Sequence, residues 1–197
     1  MAFSSNWSGA DMRRTLPGIL LLAACTSRTA DRAATTPGSD TTGRDSALGV
    51  QWVLDATSFG RFRVGTPLAD LNAALGEHLV PAYQMNPTCD HVDPAGFPEG
   101  VIVMVENDTV VRFDVESPAI RTRAGAGVGD LEADVVKRYR SAITVGPHKY
   151  TGPEGHYLTA TPPGDSLHQI IFETDGRVVT HVRAGRLPAV AYVEGCA

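Results

Sequence analysis

Ser166 is the first residue whose setting could do chemistry. Gly164-Asp165-Ser166-Leu167 places a hydroxyl among small and polar residues, and a serine becomes a nucleophile when a base such as His181 lies within hydrogen-bond reach. The same four residues also read as a surface turn, because Pro162-Pro163 precedes them and only 30 residues follow. Cys89-Asp90-His91-Val92-Asp93 gathers metal-capable side chains, but two carboxylates and one imidazole in a proline-rich loop specify no coordination geometry. No metal and no cofactor is therefore expected. Gly125-x-Gly127-x-Gly129 ahead of a helix could cradle an anion, yet its spacing fits neither a phosphate loop nor a dinucleotide fingerprint and reads as a strand-to-helix turn. Four of the six histidines, His148, His156, His168 and His181, fall in the last 50 residues beside Tyr150 and Tyr157. Scattered surface imidazoles, a polar binding patch and a zinc site are the three readings of that cluster.

Composition narrows the partners. The chain has 197 residues, 43% hydrophobic and 20% charged, enough for one packed domain or at most two. Seventeen Lys+Arg against 22 Asp+Glu give a net charge of -5, and no basic run is interleaved with aromatics, which argues against nucleic acid. Residues 1–24 read as an export signal: Arg13 and Arg14 precede the apolar run Leu16 to Ala24, which is too short to span a membrane as a helix. Met12 is an alternative start of translation. From Thr26 to Gly49 the chain carries a single large aliphatic, Leu48, so it cannot bury enough surface to offset ordering and reads as a linker.

Leu22-Ala23-Ala24-Cys25 resembles the lipobox of bacterial lipoproteins. The resemblance implies that Cys25 is acylated on sulfur and becomes the amino terminus, so that a lipid anchor and the linker over 25–49 hold the protein to a membrane. Thr26 after the cysteine resembles the choice that sorts lipoproteins to the outer membrane, facing the periplasm. Acylation of Cys25 also resolves the odd count of three cysteines, leaving Cys89 and Cys196 to pair in an oxidising compartment.

The segment 50–197 reads as a tandem repeat. Val64-Gly65-Thr66-Pro67-Leu68-Ala69-Asp70-Leu71 is echoed 64 residues later by Val128-Gly129-Asp130-Leu131-Glu132-Ala133-Asp134-Val135. Asn107-Asp108-Thr109-Val110-Val111 matches Asp175-Gly176-Arg177-Val178-Val179, and Pro118-Ala119-Ile120 matches Pro188-Ala189-Val190, dividing the chain at about 56–120 and 121–197. Each copy opens with a helix: Thr66 caps Leu68, Leu71 and Leu75 before Gly76, and Asp130 caps Leu131, Val135 and Tyr139. Strands over 101–106 and 109–115, then 169–174 and 177–183, flank two-residue turns, and further strands are predicted over 119–123 and 189–194. The expected fold is α+β, two helix-plus-antiparallel-sheet repeats in a two-layer sandwich.

The helix start, the Leu75-Gly76 stop and the following meander resemble the small lipoprotein of the outer-membrane barrel-assembly machinery. Two such units in tandem resemble the beta-lactamase inhibitory protein architecture. Both resemblances imply a non-enzymatic protein that binds another protein through a sheet face or loops. The expected function is therefore a lipid-anchored envelope protein with a protein partner, against the alternatives of a small serine hydrolase or a metal- or small-ligand-binding lipoprotein. Pairing across Asn107-Asp108 sets Met104 opposite Val111 and Ile102 opposite Phe113; the second copy sets His168 opposite Arg183. On that register His168, His181 and Arg183 gather at a solvent-accessible edge with His148 or Tyr150, as the candidate binding site.

Overall fold

The structure, a computed structural model, describes residues 51–197. Cys25, the signal over 1–24 and the linker over 25–49 lie outside the described residues. Three short strands come first, β1 (Val53–Asp55), β2 (Ser58–Phe59) and β3 (Phe62–Arg63), then α1 (Leu68–Leu75) and β4 (Cys89–Val92). The hairpin β5 (Val101–Glu106) and β6 (Thr109–Val115) leads through β7 (Arg121–Thr122) to α2 (Glu132–Tyr139). Four strands end the chain: β8 (Ile143–Pro147), β9 (His156–Ala160), β10 (His168–Thr174) and β11 (Val179–Arg186). They join one seven-stranded sheet in the order β4-β5-β6-β11-β10-β9-β8, while β3-β2-β1-β7 form a small second sheet.

Burial explains the layers. Phe59 and Phe62 of the small sheet, Leu68 and Leu71 of α1, Val135 of α2 and Val103, Phe113, Leu158 and Phe172 of the large sheet belong to one apolar core. Both helices and the small sheet thus lie on one face of the seven strands, giving an α+β fold that is mostly sheet. Trp52 stacks on Phe59 with centroids 4.9 Å apart, closing this core at the start of the described chain. Among the described residues no helix is long and apolar enough to cross a membrane.

Both helices form where expected, but neither uses its expected cap. The residues ahead of α1 and α2 are Pro67 and Leu131, and neither helix start has a side-chain cap bond. Backbone pairing replaces the cap. Gly65 N–H donates to the Val110 carbonyl, Val110 N–H to Thr66, and Leu68 N–H to Asp108, at 2.7–2.9 Å. Ahead of α2, Gly129 N–H donates to Val179, Val179 N–H to Asp130, and Glu132 N–H to Arg177, each at 2.9 Å. Asp130 instead receives Gly127 N–H and the Arg121 guanidinium, and Leu131 is exposed rather than on the apolar stripe. Gly76 does end α1 in the left-handed region, at φ 69°.

Three strand expectations are corrected. Residues 189–194 form no strand; Ala189–Ala191 is a 3-10 turn lying on the large sheet. The strand expected over 119–123 forms only at Arg121–Thr122, as β7, and pairs in parallel with β1 rather than in an antiparallel sheet. The third correction is register. In the first hairpin Met104 faces Arg112 and Ile102 faces Asp114, because a bulge at Met104/Val105 slips the pairing by one residue beyond the turn. In the second, His168 faces Arg186 and Ile171 faces Arg183. The connection there is longer than two residues: Asp175 Oδ1 accepts the N–H groups of Arg177 and Val178, and Val178 bridges Leu131 ahead of α2. The return arm is drawn to the helix start before it can rejoin β10, and a bulge at Glu173/Thr174 follows.

β6 and β11 sit side by side at the centre of the sheet, and Gly185 makes their close approach possible. A Cβ there would collide with the Val111 carbonyl and press on the Arg112 backbone. Gly185→Ala is expected to destabilise the domain by about 1–3 kcal/mol through overpacking. A urea midpoint equal to that of the wild type would contradict this reading of the β6–β11 contact.

Candidate functional site: a charged row on the outer sheet face

Among the described residues, the buried charges lie on the large sheet's other face. Arg112 and Asp114 alternate with Phe113 on β6, so Phe113 enters the core while the two charged side chains point the opposite way. Arg112 Nε donates to Asp114 Oδ2 at 2.8 Å, and its Nη1 donates to the carbonyls of Ala189 at 3.0 Å and Tyr192 at 2.9 Å. The C-terminal segment thereby lies over the pair as a strap. Its end is tied by the Cys89–Cys196 disulfide, with Cα atoms 5.4 Å apart, as expected from the cysteine count. Met104, Val111, Ala189 and the disulfide sulfurs form a small apolar cluster beneath the strap.

His181 extends the row to β11. Its Nε2 lies 3.1 Å from Asp114 Oδ1, and its Nδ1 is 3.7 Å from Glu116 Oε1. Burial by itself would raise the Asp114 carboxyl, but the His181 hydrogen bond and the Arg112 guanidinium hold it below the usual carboxylate range. Arg183, only 3% exposed, donates to Glu173 Oε1 and stacks 5.4 Å from the centroid of the Tyr157 ring. Desolvation lowers the Arg183 pKa, an effect that the Glu173 charge opposes.

His148 completes the network from the β8–β9 connection. Its Nδ1 accepts the N–H groups of Tyr150 at 3.1 Å and Thr151 at 3.2 Å. That assigns the neutral ring's proton to Nε2, which lies 3.2 Å from Glu173 Oε2. The ring stacks on Tyr157 with centroids 4.4 Å apart. Next to it, Lys149 and Tyr150 both bond Glu194 of the strap, and the Glu194 hydrogen bond pushes Lys149 up to about 12. Tyr150, Glu116 and Ile102 remain exposed around the row.

Of the five sequence-predicted binding residues, the structure gathers His148, Tyr150, His181 and Arg183 around Glu173 and the strap. Arg183 is buried rather than at a solvent-accessible edge, because Glu173 and Tyr157 cover it. His168 does not join. It shares the helix side of β10 with Ile170 and Phe172, two and four residues on, and its Nδ1 bonds Asp165 Oδ2 at 2.9 Å. Sequence reasoning missed Arg112, Asp114 and Glu173, and left Tyr157, named beside the histidine cluster, out of the candidate site. The signal was present in Arg112-Phe113-Asp114, charge alternating with a core aromatic inside an otherwise apolar strand.

The other constellations go to structure. Asp165 Oδ1 accepts the N–H groups of Leu167 and His168, so Gly164-Asp165-Ser166-Leu167 is a turn. Ser166 lies just before β10, whereas His181 faces Glu173, five residues beyond the strand's first residue, His168, and so about 17 Å from that end. The two are not within hydrogen-bond reach. Asp90 is occupied by the backbone of Ala82, Tyr83 and His91, and Cys89 by its disulfide. Gly125 and Gly129 take φ of 79° and 86° in the turn that delivers α2. No protein-family model, no curated protein and no solved structure matches this chain.

Proposed function

We propose that this is a lipid-anchored, non-enzymatic protein of the cell envelope that binds a protein partner through the outer face of its large sheet. Cys25 carries the lipid, the segment over 25–49 is the tether, and the outer membrane facing the periplasm is the site of residence. The Cys89–Cys196 disulfide supports export, since such bonds persist in oxidising compartments. One observation carries the binding role: a buried, mutually paired set of charges holds His181 in place, with Tyr150, Glu116 and Ile102 exposed beside it, on a face that the helices leave free. Interfaces favour this arrangement, aromatic and polar groups that are already ordered before the partner arrives.

The finer architecture is two copies of one unit. The matched backbone clamps ahead of α1 and α2, and a bulge in each central hairpin, support that reading. β5 and β6 then correspond to β10 and β11, with β4 corresponding to β9.

Two experiments test the proposal. Cys25→Ser is expected to leave the protein unprocessed or soluble, read by fractionation of cells; wild-type partition into membranes would overturn the anchor. A photo-crosslinking residue at Glu116 in intact envelopes is expected to capture a discrete partner, while one at Leu167, exposed in the turn before β10, is not. Equal capture at both positions would remove the sheet face from consideration.

A further inference from the structure

The two edges of the seven-stranded sheet are finished differently. The β4 edge is sealed: Asp90 Oδ2 accepts the N–H groups of Ala82 at 2.6 Å and Tyr83 at 2.8 Å, Asn86 bridges Cys89, and the disulfide ties the strand to the chain end. At the opposite edge β8 pairs, among the described residues, with β9 alone. Edge strands are ordinarily blunted by charged side chains, by proline or by brevity; Ile143-Thr144-Val145-Gly146-Pro147 is short and ends in a proline but carries no charge. Val145 is 51% exposed.

The ladder shows which backbone groups face outward. Thr161 N–H donates to the Ala142 carbonyl at 3.0 Å and His148 N–H to Gly155 at 2.9 Å. The β8–β9 register between those pairs is unbroken, so Thr144 and Gly146 also aim their N–H and C=O groups at β9. Ile143, Val145 and Pro147 therefore aim theirs away from the sheet.

We propose that β8 is the interface at which two copies of this chain pair, antiparallel, about a two-fold axis at Val145. In that register Val145 exchanges both N–H···O bonds with its twin, and each Ile143 N–H meets the Pro147 carbonyl of the other copy. Proline lacks an N–H and usually ends a ladder, but here it stands where its carbonyl serves, leaving one Ile143 carbonyl unpaired in each copy. A strand that pairs with itself must be compatible with its own sequence reversed, and an uncharged strand brings no like charges together. Val145 pairs with Leu158, a core residue, so its side chain is on the helix side, where the two copies of Val145 would cover each other.

The test uses the full-length chain carrying Cys25→Ser, which lacks the thiol to be acylated. Light scattering is expected to show a species of twice the chain mass as concentration rises, and Val145→Pro, which deletes the donor at the axis, should lose it. Because a proline tests folding as well as pairing, Val145→Cys supplies an independent reading. Cα atoms of a hydrogen-bonded antiparallel pair lie about 5.5 Å apart, within disulfide range, so mild oxidation should yield a covalent dimer. Met85→Cys, at an 84% exposed site near the sealed edge, should not. Equal crosslinking at both positions would overturn the interface. So would a monomer at every concentration, which is also the result if another protein, or residues 1–50 of the same chain, occupies β8.

Discussion

Asp114→Ala is expected to destabilise the domain by about 3–5 kcal/mol, the cost of leaving a buried charge without its counter-ion. Arg112 would keep two strap carbonyls but lose the one carboxylate bonded to it among the described residues, and His181 would lose the acceptor at its Nε2. Since whole domains are stable by about 5–15 kcal/mol, this is a large share of the total. Urea unfolding under oxidising conditions measures it, as a lower midpoint at unchanged slope. Replacing the pair together, Arg112→Met with Asp114→Leu, should recover part of the loss, because two apolar side chains avoid the desolvation that one orphaned charge suffers. Recovery should be incomplete, since the carbonyls of Ala189 and Tyr192 then lack their donor. A single variant as stable as the wild type would contradict the network described above.

The same carboxylate sets an acid limit. The Asp114 pKa is lower in the folded chain than the ordinary 3.8, so its contribution is fully present above about that value and is lost as pH falls through the folded one. Wild-type stability should therefore decline below about pH 4, and Asp114→Ala should show a shallower decline over the same range.

Removing the disulfide has the second large effect. Cys89 and Cys196 are separated by 107 residues, and a loop of that size restricts the unfolded chain enough to contribute about 3–5 kcal/mol. Cys89→Ala with Cys196→Ala is expected to lower the urea midpoint accordingly. The loss should also be local: without its tie, the strap would expose Met104 and Val111 and withdraw the carbonyls that Arg112 bonds. Amide exchange should then rise over 189–197 while β10 keeps its protection. An unchanged midpoint, or strap amides as protected as before, would show that packing alone holds the chain end.

The cysteine pairing, both helices, the first hairpin and the α+β class could be read from the residues themselves. Each rests on local or countable signals: an odd cysteine set aside, leucines at helical spacing before a left-handed Gly76, and Asn107-Asp108 between two apolar runs. Register is of another kind. Alternation with a period of two states which residues share a face but not which residue of the next strand they meet, and each bulge reverses the answer. Pairing Met104 with Val111 and Ile102 with Phe113 would set Met104 and Phe113 on one face, but Met104 lies under the strap and Phe113 in the core. His168 and Arg183 were assigned to one edge, although the longer turn at Asp175 and the bridge from Val178 to Leu131 separate their faces.

Tertiary structure alone also decided what the charges mean. Arg112 and Asp114 have the spacing of a solvated sheet face, and nothing within β6 indicates that a segment nearly 80 residues later covers them, as the Arg112 bonds to Ala189 and Tyr192 do. The apolar residues over 189–194 look like a strand by composition, yet the disulfide and the Arg112 donors hold them as a strap instead. Burial of a charge depends on contacts distant in sequence, whereas helix spacing and turn chemistry are local. That difference in range is why the elements were legible in the sequence while the outer face, with its buried charges and exposed rim, emerged only on folding.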